Sequence, residues 1–115
     1  MSSLVKRMIM GFAAILIVVI SGDYGKPRPA VVLQADIFDG LPSVIIAPCT
    51  SEILDATLVR ISVPPSLRNG LRVPSQIMID KISAIPRSRV GEVVGQLEPA
   101  ILAVVETAAR RLLSL

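Results

Sequence analysis

The chain has no histidine, no tryptophan and a single cysteine, Cys49. Without histidine it lacks the usual side-chain metal ligand and the usual general base near neutral pH. One cysteine excludes an internal disulfide framework and a cysteine-based zinc site within one chain. Aromatic residues make up only 3% of the chain, too few for a sheet that stacks bases on rows of aromatic rings. Any catalysis must therefore use carboxylates, arginines, lysines, hydroxyls or backbone groups.

What is present is apolar and basic. The 115 residues suit one domain, and 52% of them are apolar, enough for a core without covalent staples. The formal net charge is +3, which favours an anionic partner such as nucleic acid. Most of the cations are arginine, the residue that grips phosphate with two parallel N–H bonds.

Residues 8–20, MIMGFAAILIVVI, form an apolar run behind Lys6 and Arg7. It reads in two ways: a buried strand over Ile15 to Ile20, rich in β-branched residues, or a targeting or surface-anchoring segment. Thirteen apolar residues fall short of a membrane-spanning helix.

Short apolar stretches separated by Gly and Pro turns follow, the pattern of a small barrel or strongly bent sheet. Strands are expected at 30–34 (AVVLQ), at 43–48 (SVIIAP, stopped by Pro48), at 58–63 (LVRISV, half exposed) and at 76–80 (QIMID). DGLP at 39–42 is a turn and PPSLRNG at 64–70 a loop. From Leu97 the period changes to that of a helix. Pro99 suits its first turn, and Ile101, Val105, Ala108 and Leu112 share a face, flanked by Leu102 and Ala109. Glu98 complements the positive end, Arg110 and Arg111 the negative end, and Glu106 stands four residues before Arg110.

Read in order, the pieces are GDYGKPRPAVVLQ, then VIIAPCTS at 44–51, VRISVP at 59–64, NGLRVPSQIMIDKI at 69–82, PRSRVGEVVGQLEP at 86–99 and a terminal helix. This ordered set resembles the MazF/PemK family of toxins from type II toxin–antitoxin modules, over roughly residues 17–115. The resemblance implies an α+β, mainly β fold: an SH3-like small barrel of short antiparallel strands with a C-terminal helix, forming one domain over residues 1–115. It implies a homodimer in the bacterial cytoplasm, without stable membrane association. It also implies metal-free, cofactor-free cleavage of single-stranded RNA (mRNA) at short motifs, and a cognate antitoxin that blocks the RNA groove. Relatives usually begin the first strand with a basic-Gly-acidic triplet. Here the stretch is FAAIL, residues 12–16, so residues 1–14 are atypical.

Residue by residue, the resemblance assigns Arg28, held between Pro27 and Pro29, as the catalytic arginine and Thr50 as the catalytic threonine. In such cleavage the substrate 2′-OH attacks phosphorus, its proton must be removed, and the departing 5′-oxygen must be protonated. Asp23 matches an acidic position of the first loop, suited to take that proton or to orient Arg28. Asp80 matches an acid that some members use as base beside an arginine two residues earlier, where this chain has Met78. Tyr24 suits stacking on an unpaired base. Lys26, Ser51, Lys81, Arg87 and Arg89 are the remaining candidates for RNA contact. Cys49 reads as a small core residue. Two further readings stand beside the nuclease. One is a toxin fold that has lost catalysis and binds a protein, as gyrase poisons or regulators do; the other is a small membrane-associated protein.

Overall fold

The computed structural model describes residues 11–19, 26–56 and 58–115. Among them lie seven strands and one α-helix: β1 Ala14–Val19, β2 Pro27–Val32, β3 Ser43–Thr50, β4 Arg60–Val63, β5 Ser75–Met78, β6 Ser83–Pro86, β7 Val90–Gln96 and α1 Pro99–Leu113. The strands pair antiparallel in the order β4-β5-β3-β2-β1-β7, with β6 also beside β3. β3 thus has three neighbours: β2 along one edge, and β6 then β5 along the other.

Alternation along the strands sorts the side chains into two apolar clusters. Ile15, Val31, Ala47 and Cys49 enter one, with Ile61, Val63 and Ile77 of β4 and β5. Ala14, Leu16, Val18, Ala30, Val32, Val44 and Ile46 enter the other, with Ile85 of β6. A sheet apolar on both faces needs cover on both. α1 covers the first, burying Val105 and Ala108 and packing Ile101, Leu102 and Ala109 against it. Fully burying a side chain such as Val105 contributes about 1.5–3 kcal/mol. An isolated helix of 15 residues is marginal in water, so the sheet holds α1. The second cluster is closed by the sheet's curl, which brings Val90 and Val93 onto it.

Prolines decide where β3 is paired. The N–H of Leu33 donates to the C=O of Ile45 at 3.0 Å. By alternation, the backbone of Val31, Pro29 and Pro27 also faces β3, and the two prolines have no N–H to give. The β2–β3 ladder accordingly ends at Ala30↔Pro48. Pro48 does not stop the strand as its sequence suggested. Its missing N–H falls on the other edge of β3, where pairing passes from β6 at Ser43–Ile46 to β5 at Cys49–Thr50. No bond is lost there, and β3 runs on to Thr50.

Other expectations shift for equally local reasons. QIMID gives strand only to Met78, after which Ile79–Lys81 turn as a 3-10 helix. β4 begins at Arg60 rather than Leu58. Leu112 is 47% exposed, because the buried stripe of α1 ends near Ala109. Glu106 and Arg110 are not among the ion pairs of the described residues. β6 and β7 were not anticipated as strands. Ala13, in the atypical FAAIL stretch, takes φ 70°, the left-handed region that favours glycine.

One buried polar node ties the β4–β5 loop to the start of α1. Asn69 is fully buried. Its side-chain oxygen accepts from the N–H groups of Ser66 and Leu71, and its amide donates to Pro64 C=O and to Glu98. The Ser66 hydroxyl donates to the same carboxylate at 2.9 Å. The neighbouring backbones approach so closely that a Cβ on Gly95 would lie 2.4 Å from the Asn69 carbonyl.

Candidate active site

The end of the β2–β3 ladder is where the expected catalytic residues stand. Continuing the register Ala30↔Pro48 by two residues sets Arg28 opposite Thr50. Both are half-buried. Two adjoining clefts open there and share Arg28, Thr50 and Glu52 on their linings. One, of about 370 Å³, continues to Arg60, Met78, Lys81 and Ser83. The other, of about 310 Å³, continues to Lys26, Ser51 and Val73. Pro27 and Pro29, which have no N–H to give to β3, flank Arg28 at this point.

The clefts are cationic. Lys26, Arg28, Arg60 and Lys81 line them, against the single carboxylate of Glu52 on the linings. Such a site attracts a polyanion and stabilises charge on phosphorus. The Thr50 hydroxyl accepts the backbone N–H of Glu52 at 3.1 Å. That fixes the oxygen and leaves its hydrogen available to donate.

Asp80 lies beside this site in an ion pair. Arg60 grips it through two bonds, Nε to Oδ1 at 3.1 Å and Nη2 to Oδ2 at 3.2 Å. The hydrogen bond from Arg60 holds the Asp80 carboxyl below the usual carboxylate range, against the opposing effect of burial. An aspartate so paired is a weak proton acceptor. The arginine partner that position 78 lacks is supplied by β4 instead, where Arg60 pairs across from Met78. Burial pushes the Cys49 thiol up to about 12, so it stays protonated at neutral pH and is no nucleophile.

Of the residues singled out from sequence, the fold brings Arg28, Thr50, Lys26, Ser51 and Lys81 to these clefts. Asp23 and Tyr24 lie outside the described residues. Arg87 and Arg89 lie away from these clefts. They form a 3-10 turn after β6, whose Pro86 pairs with Ser43 at the opposite end of β3 from Thr50. At about 3.3 Å per residue, that is over 20 Å along the strand. Arg87 is engaged there by Asp39 at 3.2 Å and by the C=O of Leu41. Arg60 and Glu52 were missed. The alternation of LVRISV does put Arg60 on the polar face of its strand, and Glu52 follows the Thr-Ser pair directly.

A family described as PemK-like, MazF-like toxin of type II toxin–antitoxin system matches residues 13–113. The chain belongs to the PemK/MazF-like toxin family. A protein of Mycolicibacterium smegmatis named probable endoribonuclease MazF is 44% identical over 73 residues, which span 64% of this toxin and 67% of that protein. Among solved structures, the Mycobacterium tuberculosis toxin MazF-mt6 superposes with a TM-score of 0.76 at 23% identity, over 89% of this chain and 97% of that one. A mycobacterial endoribonuclease in complex with its cognate antitoxin gives 0.77 at 16% identity, over 91% and 95%. At those identities the two structures show the toxin fold: a mainly antiparallel sheet with a C-terminal helix. The apolar run near the N-terminus contributes β1 to that sheet. No helix among the described residues is long and apolar enough to cross a membrane.

Proposed function

We propose that this toxin is a sequence-specific endoribonuclease that cuts single-stranded RNA without a metal. The observation that carries the reading is the meeting of Arg28 and Thr50 just beyond the end of the β2–β3 ladder, on the lining of two cationic clefts. In the proposed reaction the 2′-oxygen of the substrate forms a bond to phosphorus as the bond to the 5′-oxygen breaks. The products are a 2′,3′-cyclic phosphate and a 5′-oxygen that takes a proton from solvent water to become a free 5′-hydroxyl. Arg28 neutralises the charge that builds on the non-bridging oxygens, and Thr50 adds a hydrogen bond to the same group. Asp23, five residues before Arg28 in the chain, is assigned the 2′-OH proton, since Asp80 is already committed to Arg60. Lys26, Ser51 and Lys81 contact the flanking backbone.

The relative named probable endoribonuclease supports this activity, and the antitoxin-bound structural neighbour supports a cognate antitoxin as partner. The homodimer is proposed on the family likeness, and Val104, Leu112 and Leu113 of α1 are each about half exposed. The proposed setting is the bacterial cytoplasm, where mRNA is at hand.

The test is incubation of purified protein with a long single-stranded RNA in EDTA, alongside Arg28→Ala and Thr50→Ala. Cuts at a recurring short motif, ending in cyclic phosphate and lost in both variants, are expected. No cutting by the folded wild-type protein would refute the nuclease and leave a protein-binding toxin fold.

A further inference from the structure

We propose that Arg60 is a second phosphate-binding residue of the cleft, with Asp80 as its positioning residue, and that it holds the backbone phosphate next to the one being cut. This rests on the RNA-cleaving reading above. Arg60 lies on the lining of the cleft that also contains Arg28 and Thr50. Thr50 pairs with Gln76 of β5, and Met78, two residues further along β5, pairs with Arg60 of β4. Two strand spacings across and two residues along separate the Thr50 and Arg60 backbones by on the order of 12 Å. Arg60 therefore stands across the cleft from the reacting pair, where the polymer's next phosphate would pass.

The geometry of the ion pair is selective about which N–H groups it uses. A guanidinium carries five, and Asp80 takes one on Nε and one on Nη2. No other hydrogen bond of Arg60 occurs among the described residues. The free groups are the two on Nη1 and the second on Nη2, which together form the end-on fork that fits two phosphate oxygens. The side chain is only 11% exposed, yet none of its nitrogens is sealed from solvent without a partner. A stiffened, half-satisfied guanidinium at the edge of a cleft is prepared for an anion. Asp80 fixes the fork's direction and lowers the ordering cost of binding.

The plainer role is a cross-strand tie between β4 and the turn after β5, which would affect stability and leave RNA binding alone. Binding separates the two. The probe is an RNA oligonucleotide carrying the motif found in the cleavage assay, with a 2′-O-methyl group at the cut nucleotide to block reaction. Arg60→Met should weaken its affinity about 10- to 100-fold, as loss of a charge-assisted contact does. It should also reduce the slope of log affinity against log salt by about 0.7. On the wild type, replacing the phosphate next to the cut by an uncharged methylphosphonate should cause a similar loss. On Arg60→Met the same replacement should cost little more. Arg60→Lys, which keeps charge without the fork, should recover the salt slope and only part of the affinity. Asp80→Asn should raise KM with kcat held. A folded Arg60→Met protein with wild-type affinity and salt slope would overturn the proposal and leave only the structural tie, with the nuclease reading intact. A wild type that neither cuts nor binds RNA would overturn both.

Discussion

The two ends of β3 carry similar residues to opposite effect. Each end of β3 is paired along one edge, with β6 through Pro86 at Ser43 and with β5 at Thr50, and the β2 ladder covers Ile46–Pro48 between them. The arginine at the Ser43 end, Arg87, is consumed by the protein's own acceptors, Asp39 and the Leu41 carbonyl. At the Thr50 end Arg28, Arg60, Lys26 and Lys81 line two clefts. Basic residues alone therefore do not make a site. What distinguishes the Thr50 end is its lining: four cations converge on its clefts, whereas the cleft at the Ser43 end is lined by apolar and neutral residues such as Leu33, Phe38 and Ile45.

The largest effect that tests this contrast is on chemistry. Arg28→Ala should stay folded and lose about 100- to 1,000-fold in kcat, the usual cost of removing one preorganised donor from a developing oxyanion. Single-turnover cleavage measures it, and an undiminished rate would remove Arg28 from the mechanism. The mirror experiment is Arg87→Met at the other end. It leaves half-buried Asp39 without that cation, so urea unfolding should show a loss of about 1–3 kcal/mol. RNA affinity and kcat should be those of the wild type; a weaker RNA complex would return Arg87 to the binding surface.

A third variant tests whether proline keeps β2 and β3 apart beside Arg28 and Thr50. Pro29→Val restores an N–H opposite Cys49 and places a good strand former in β2. The ladder should extend toward Arg28 and Thr50, and the clefts should narrow. kcat/KM should fall by about 10-fold while stability changes little, since a gained hydrogen bond of about 1 kcal/mol offsets the lost stiffness of proline. Protection of the new amide at position 29 from hydrogen exchange would report the extra rung. An unprotected amide with unchanged kinetics would show that proline does not hold the strands apart.

These contrasts also explain what the sequence disclosed. The strands with dense β-branched runs, β1 to β3, and the amphipathic α1 were legible because local pattern and tertiary burial agree there. β7 was not. VGEVVGQ carries two glycines and weak alternation, and it is a strand because β1 pairs with it through two register shifts. Pro48 misled for a related reason, since a proline's effect depends on which edge of the strand its nitrogen faces. Arg28 and Thr50 were legible as a motif. The Arg60–Asp80 pair was not, because it joins β4 to the turn after β5, and neither residue's surroundings name the other.

The smallest predicted effect concerns the loop between β4 and β5. Glu98 takes bonds from Ser66 and Asn69, which fix the β4–β5 loop bearing Val73 of the cleft lining. Burial acts to raise its pKa, but those hydrogen bonds outweigh burial and hold the carboxyl below the usual range. A carboxylate depressed in the folded state stabilises the fold above its unfolded pKa of about 4.3, and the contribution is lost as pH falls through the lower folded value. Glu98→Gln keeps the shape and removes the charge. At pH 7 it should cost about 0.5–1.5 kcal/mol in urea unfolding. The gap between wild type and variant should shrink steadily below about pH 4, because Glu98 is then protonated in folded and unfolded chains alike. A gap that persists at pH 3 would mean that the difference does not come from the glutamate's charge.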